Sequence, residues 1–236
     1  MELPGASCLV TGAGRGIGRA IALALAREGA RVTLSARSAS ELDSLVSEVR
    51  ASGGTALAHA GDLRDPGVCL GAVRAAVEAH GRLQVLVNNA GVGHVAALAE
   101  TTDAAWEETI GTNLSAVFRL TRAALPHLAN GGGHIFMISS LAGSNPIAGM
   151  SAYCASKAAL DHLARCLMLE VRQSGVKVTT LAPGSVDTGF GGHTGRDGWK
   201  LRPEDLAAAV LDLLRTRDAA HLSRVELRPL RPPARA

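Results

Sequence analysis

Thr11-Gly12-Ala13-Gly14-Arg15-Gly16-Ile17-Gly18 is the stretch on which the fold turns. It follows the short apolar run Ser7–Thr11 and leads into Ile17–Glu28, whose apolar residues recur at helical spacing. Glycines between a strand and a helix permit a tight turn, a close backbone approach to a pyrophosphate, and close helix–strand packing. The free N–H groups and positive dipole end of the helix then bind an anion without a dedicated side chain. Glycine also collects in purely structural turns, so position carries the argument. Set after a first strand and before an amphipathic helix, the turn points to a bound dinucleotide held by Gly12, Gly14, Arg15, Gly16, Ile17 and Gly18.

Outward from this turn the same alternation runs to the end of the chain. Candidate strands are Ser7–Thr11, Arg31–Ser35, Thr55–Ala60, Leu83–Val87, His134–Ser139, Val176–Leu181 and His221–Leu227. Helical patterns fall at Ile17–Glu28, Ala39–Ala51, Asp65–His80, Asp103–Leu128, Ala152–Ser174 and Pro203–Arg215. Repeated βα units mean a mostly parallel sheet covered by helices on both faces. Right-handed crossovers make this an α/β, doubly wound Rossmann fold with a seven-stranded sheet in the order 3-2-1-4-5-6-7. Gly29, Gly53–Gly54 and Gly81 fall where helices end, Asp103 where one is capped, and Pro203 at a first helical position. No repeat or linker interrupts the pattern, so residues 1–236 read as a single domain. Within it, residues 184–202 form a short, glycine-rich substrate loop and 231–236 a flexible tail. Hydrophobic residues make up 47% of the chain and aromatic ones only 3%, so the core is aliphatic, as buried parallel strands require.

An acidic residue that would hold a ribose diol is missing about 20 positions beyond the turn. The second strand runs into Ser35-Ala36-Arg37-Ser38 instead. Arg37 is placed for a 2′-phosphate, with Arg15 on the same side, and two guanidinium groups favour NADP(H) while leaving NAD(H) possible. A net charge of +3 without aromatic-interleaved basic stretches argues against nucleic acid. The arginines near the C-terminus (Arg224, Arg228, Arg231, Arg235) read as a solvated or subunit-facing end. Cys8, Cys69, Cys154 and Cys166 show no paired spacing and read as buried reduced thiols; His94, His134, His162 and His193 share no metal spacing, so no metal is expected. There is no signal-peptide pattern and no apolar run of the ~18 residues that a membrane helix needs, so the expected location is cytoplasmic.

Taken together, these stretches resemble the short-chain dehydrogenase/reductase family over essentially the whole chain. The turn has the TGxxxGIG form, Asn88-Asn89-Ala90-Gly91 matches NNAG, and Tyr153-Cys-Ala-Ser-Lys157 matches YxxxK after Ser139-Ser140. The resemblance implies that Asp62 and Leu63 meet the adenine ring, and that Asn89, Ala90 and Gly91 border the cofactor. It also places Pro183, Gly184, Val186 and Thr188 beside the nicotinamide. It implies a catalytic set of Asn113, Ser140, Tyr153 and Lys157, with Asn113 holding a water near Lys157. A homodimer or homotetramer built on the helices near Asp103–Leu128 and Ala152–Ser174 is implied as well, and Leu160, Leu163, Leu167 and Val171 suit either a core or such a contact.

The chemistry of the residues agrees. Tyr153 and Lys157 lie four apart on one helix face, and an ammonium there is expected to lower the phenol from its usual ~10 toward the working range. Ser140, at the carboxyl end of the fifth strand, is set to donate to a carbonyl oxygen that gains negative charge. His94, Met150, Ala142–Ile147 and Phe190 are candidates for the substrate cleft. The expected activity is NADP(H)-dependent reduction of a carbonyl, or oxidation of the secondary alcohol, on a small molecule that is free or carrier-bound. The nearest analogy is to 3-oxoacyl-carrier-protein reductases. The rival readings are an NAD-linked alcohol, sugar or steroid dehydrogenase and a non-catalytic dinucleotide-binding scaffold.

Overall fold

The structure, a computed structural model, describes residues 1–129, 131–190 and 198–231. His193, Arg235, part of the 184–202 loop and most of the 231–236 tail lie outside them. One parallel sheet of seven strands has the order β3-β2-β1-β4-β5-β6-β7, as expected. The strands are β1 Ser7–Thr11, β2 Arg31–Ala36, β3 Thr55–Ala60, β4 Val85–Asn88, β5 Gly133–Ile138, β6 Val176–Pro183 and β7 Arg224–Leu227. The helices are α1 Gly16–Arg27, α2 Ala39–Ala51, α3 Pro66–His80, α4 Asp103–Ile110, α5 Ala116–Leu128, α6 Ser151–Val171 and α7 Pro203–Arg215.

Alternation along each central strand feeds two cores. Cys8, Val10, Val85, Val87, Phe136 and Ile138 face α1, α2 and α7. Leu9, Leu86, Ile135 and Met137 face α3, α5 and α6. Both faces of the strands are therefore apolar, and their backbone pairs are satisfied inside the sheet. Leu160, Leu167 and Val171 lie in the second core, which settles their role as packing. The order reverses between β1 and β4, and the crevice above the carboxyl ends of the strands opens at that switch point.

The structure corrects several boundaries. The expected helix Asp103–Leu128 is broken by a π-helical turn, Gly111–Ser115, and Thr102 rather than Asp103 caps it, accepting from Ala105 N at 3.2 Å. The last helix of the sheet's second face stops at Val171, followed by a 3₁₀ turn. β7 begins at Arg224 rather than His221, because the His221 imidazole itself bonds the Val178 backbone. Of the thiols, Cys8 and Cys69 are buried, but Cys154 is half-buried and Cys166 exposed. Among the described residues no helix is long and apolar enough to cross a membrane.

Candidate active site

A single cleft of about 1220 Å³ runs along the carboxyl ends of the strands and is lined at one end by the glycine turn. Helix α1 follows Arg15, which supplies no side-chain cap, whereas α2, α3 and α4 are capped by Ser38, Asp65 and Thr102. Its first N–H groups are left for an outside acceptor, the arrangement that suits a pyrophosphate. Gly16 holds φ at 56°, which a side chain would resist, and a Cβ on Gly18 would collide with the Gly12 carbonyl. Gly18 thus acts by packing and does not line the cleft, unlike Gly12, Gly14, Arg15, Gly16 and Ile17.

The Asn88–Gly91 segment braces this turn. Asn89 Nδ2 donates to the Thr11 carbonyl at 2.9 Å and the Gly12 carbonyl at 3.2 Å. Thr11 Oγ1 accepts from Asn89 N and Ala90 N at 3.0 and 3.1 Å. The Asn89 amide is therefore engaged with protein, while Asn89, Ala90 and Gly91 all still border the cleft. Asn88 is buried and donates to Thr121 Oγ1 at 3.1 Å.

Beyond the turn the cleft reaches Arg37, Asp62 and Leu63. This end is crowded with charge. Asp62 pairs with Arg64 at 2.6 Å, and that hydrogen-bonded guanidinium holds the carboxyl below its usual range. Arg37 Nη1 contacts Glu108 Oε1 at 3.4 Å, and the Glu41 carboxylate lies directly against Gly14. Arg15 is exposed, and its side chain makes no hydrogen bond or ion pair among the described residues.

At the other end α6 presents Tyr153 and Lys157, and the end of β5 presents Ser140. Lys157 is 4% exposed, and Nζ donates to the Ile138 carbonyl at 2.8 Å. Burial pulls its ammonium down to about 8, partly opposed by the nearby Asp161 carboxylate. Asp161, one helical turn further on, is buried and pairs with Arg224 of β7 at 2.6 Å. Nζ lies 5.7 Å from the Tyr153 ring centre. The phenol nevertheless titrates above its ordinary value: burial raises it, and the Ser140 hydroxyl only partly offsets this. The direction is thus the reverse of the expected lowering by Lys157, because desolvation outweighs the one opposing influence, the Ser140 hydrogen bond.

Asn113 sits in the π-helical turn, fully buried, and does not line the cleft. Its amide clamps Val92, accepting from N and donating to O at 2.9 Å each, and donates to Ser156 Oγ at 3.0 Å. Ser156 in turn donates to the Tyr153 carbonyl at 2.7 Å. A Cβ built on Gly91 would lie 3.4 Å from Asn113 Oδ1 and 3.6 Å from Lys157 Nζ, so both polar atoms border the same small space.

Pro183, Gly184, Val186 and Thr188 complete the floor, and Leu141, Ala142, Asn145, Pro146, Ile147 and Met150 one wall. Phe190 stands over Tyr153, ring centres 5.4 Å apart. Val186 bridges Leu201, which closes the base of the loop and brings Trp199 and Lys200 to the cleft. These two, with Arg228 and Pro229, were not anticipated as lining residues. The aromatic Trp199 in a non-periodic loop is the only sequence signal for them. The C-terminal arginines are likewise divided: Arg224 ties β7 to α6, Arg228 lines the cleft and pairs with Glu226 at 2.7 Å, and Arg231 is exposed. His94 faces a smaller neighbouring cavity rather than this cleft and contacts Glu108 at 3.0 Å. Among the described residues no cluster of ligating side chains could hold a metal.

A family model described as short chain dehydrogenase matches residues 6–197. The 2,5-dichloro-2,5-cyclohexadiene-1,4-diol dehydrogenase LinX of Sphingobium indicum is 38% identical over 79% of this chain and 75% of its own. A metagenomic short-chain oxidoreductase solved in complex with NADP is 40% identical, with a TM-score of 0.88 over 98% of this chain and 100% of its own. A 7α-hydroxysteroid dehydrogenase complexed with NADH and 7-oxo glycochenodeoxycholic acid is 28% identical, with a TM-score of 0.89 over 96% and 94%.

Proposed function

The chain belongs to the short-chain dehydrogenase family, and on that premise we propose that it is an NADP(H)-dependent oxidoreductase that reduces a carbonyl or oxidises the matching secondary alcohol. The observation that carries this reading is the shared cleft: Ser140, Tyr153 and Lys157 border the same cavity as an uncapped glycine turn. The start of α1 would hold the pyrophosphate, Arg15 and Arg37 a 2′-phosphate, and Asp62 and Leu63 the adenine. Pro183, Gly184, Val186 and Thr188 would border the nicotinamide, which when bound supplies or accepts the hydride.

The chain's own groups handle the proton. Tyr153, held above the ordinary phenol range, stays protonated at neutral pH and is poised to donate to the substrate oxygen during reduction. Ser140 donates a hydrogen bond to the same oxygen as it gains negative charge. Lys157, still charged at neutral pH, stabilises the phenolate left behind and anchors the ribose. Asn113 positions Val92 and α6, and its Oδ1 borders with Lys157 a space that suits a relaying water.

Two substrate classes are favoured by observations. A 3-oxoacyl thioester suits a long cleft whose loop is short. A cyclic ketone suits the flat rings of Phe190 and Trp199 and the adaptable Met150 side chain that line the cleft. A panel of acetoacetyl thioesters, diketones, aldehydes and cyclic ketones, followed at the nicotinamide absorbance with NADPH and with NADH, tests the reading. Turnover of no carbonyl by a protein that binds NADPH would favour the scaffold instead. We further propose a homo-oligomer joined through α4–α6, supported by exposed Trp106, Phe118 and Leu169 on those helices; sedimentation tests it.

A further inference from the structure

Arg37 ends next to the cleft, yet its guanidinium is turned toward a carboxylate that does not line it. Glu108, on α4, takes Arg37 Nη1 on Oε1 at 3.4 Å and His94 Nε2 on Oε2 at 3.0 Å. Glu108 is the most shielded of the three, with 25% side-chain exposure against 58% for Arg37 and 42% for His94. The carboxylate is thus the fixed member and Arg37 the movable one. Of the other charges nearby, Arg64 is held by Asp62, whose carboxylate also feels Arg37, and Glu41 lies over Gly14.

We propose that Glu108 is a specificity-determining residue that competes with the cofactor's 2′-phosphate for Arg37, lowering the preference for NADP(H) over NAD(H). The proposal rests on reading Arg37 as a 2′-phosphate contact. To bind that phosphate the guanidinium must give up Glu108, a cost charged to NADPH binding alone, because NADH has no group to draw Arg37 away. A phosphate carries more negative charge than a carboxylate and accepts a guanidinium through two parallel bonds, so it wins the exchange. Glu108 keeps His94 as a partner when Arg37 leaves, so no carboxylate is orphaned and the exchange remains shallow. Exposed ion pairs are weak, so the effect on affinity is modest: about two- to fivefold.

Titrating NADPH and NADH by cofactor fluorescence against the wild type, Glu108→Gln, Arg37→Met and the double variant tests this without any substrate. Glu108→Gln is expected to tighten NADPH by about two- to fivefold and leave NADH where it was. Arg37→Met is expected to weaken NADPH selectively, and in that background Glu108→Gln should add nothing. A loss on Arg37→Met with no gain on Glu108→Gln overturns the competition alone. A gain that persists in the Arg37→Met background also overturns it, since a general field effect would then suffice. NADPH affinity unchanged by Arg37→Met would instead remove the 2′-phosphate reading, and this proposal with it.

Discussion

The end of the cleft that carries Tyr153 and Lys157 and the end that carries Arg15 and Arg37 are built differently. Lys157 is buried and tied to the Ile138 backbone, and Tyr153 belongs to a helix locked through Ser156 and Asn113 to the Val92 loop. Arg37, by contrast, is exposed and held only by another side chain, and Arg15 projects toward solvent. Buried groups anchored to backbone keep one geometry and titrate far from their ordinary values. Exposed ion pairs are individually weak and exchange partners readily. Chemistry needs the first kind of construction, and a choice between two similar cofactors needs only the second.

Tyr153→Phe tests this contrast most severely. It removes the proposed proton donor but keeps the ring against Phe190, so turnover should fall by about 10²–10⁴-fold with NADPH affinity nearly unchanged. Equal losses in both would mean that the two ends are not separable. A second test uses pH. Burial makes Lys157 release its proton near 8 rather than at the usual 10.5, so kcat/KM for reduction should decline as pH rises through about 8. Above that point the fall should approach tenfold per pH unit, because one proton is lost. The NADPH-to-NADH affinity ratio, governed by arginines that stay charged, should show no such limb. A limb nearer the ordinary lysine value would show that Lys157 is better solvated than its surroundings indicate.

The smallest effect separates burial from function. His134, at the start of β5 and away from the cleft, is buried against Phe136 and pushed down to about 3, first by desolvation and then by His221 and Lys177. The unfolded chain takes up this proton near 6.5 while the folded chain does not. Its contribution to stability is therefore complete above about 6.5 and lost progressively as pH falls toward about 3. Denaturant melts should lose roughly 1 kcal/mol from this group between pH 7 and about 5.5, and His134→Gln should flatten that slope. The variant should leave the alkaline limb of turnover in place; a shifted limb would join His134 to the site.

Much of this was legible along the chain. Strand–helix alternation and the glycine turn led to the observed strand order, because short crossovers between parallel strands leave few alternatives. Ser140, Tyr153 and Lys157 were singled out by the family resemblance, with the four-residue helix spacing in agreement, and the fold brings all three to one cleft. The break at Gly111–Ser115 was not, although a glycine and an asparagine in mid-pattern hinted at it. A π-helical turn is worth its cost only when its side chain finds partners elsewhere, here Val92 and Ser156. Gly18 was placed against the cofactor and turned out to pack against Gly12, a distinction that no spacing reveals.

By itself the sequence determined the periodic features: which residues form strands and helices, which faces are apolar, and which reactive side chains share a turn or a helix face. Those depend on neighbours only a few positions away. The tertiary structure alone decided the sign of the Tyr153 shift, the clamp that Asn113 makes on Val92, and the pairing of Arg37 with Glu108. The reason is physical. Desolvation and charge pairing depend on how much low-dielectric protein surrounds a group and which charges approach it, and both are set by segments far apart in the chain.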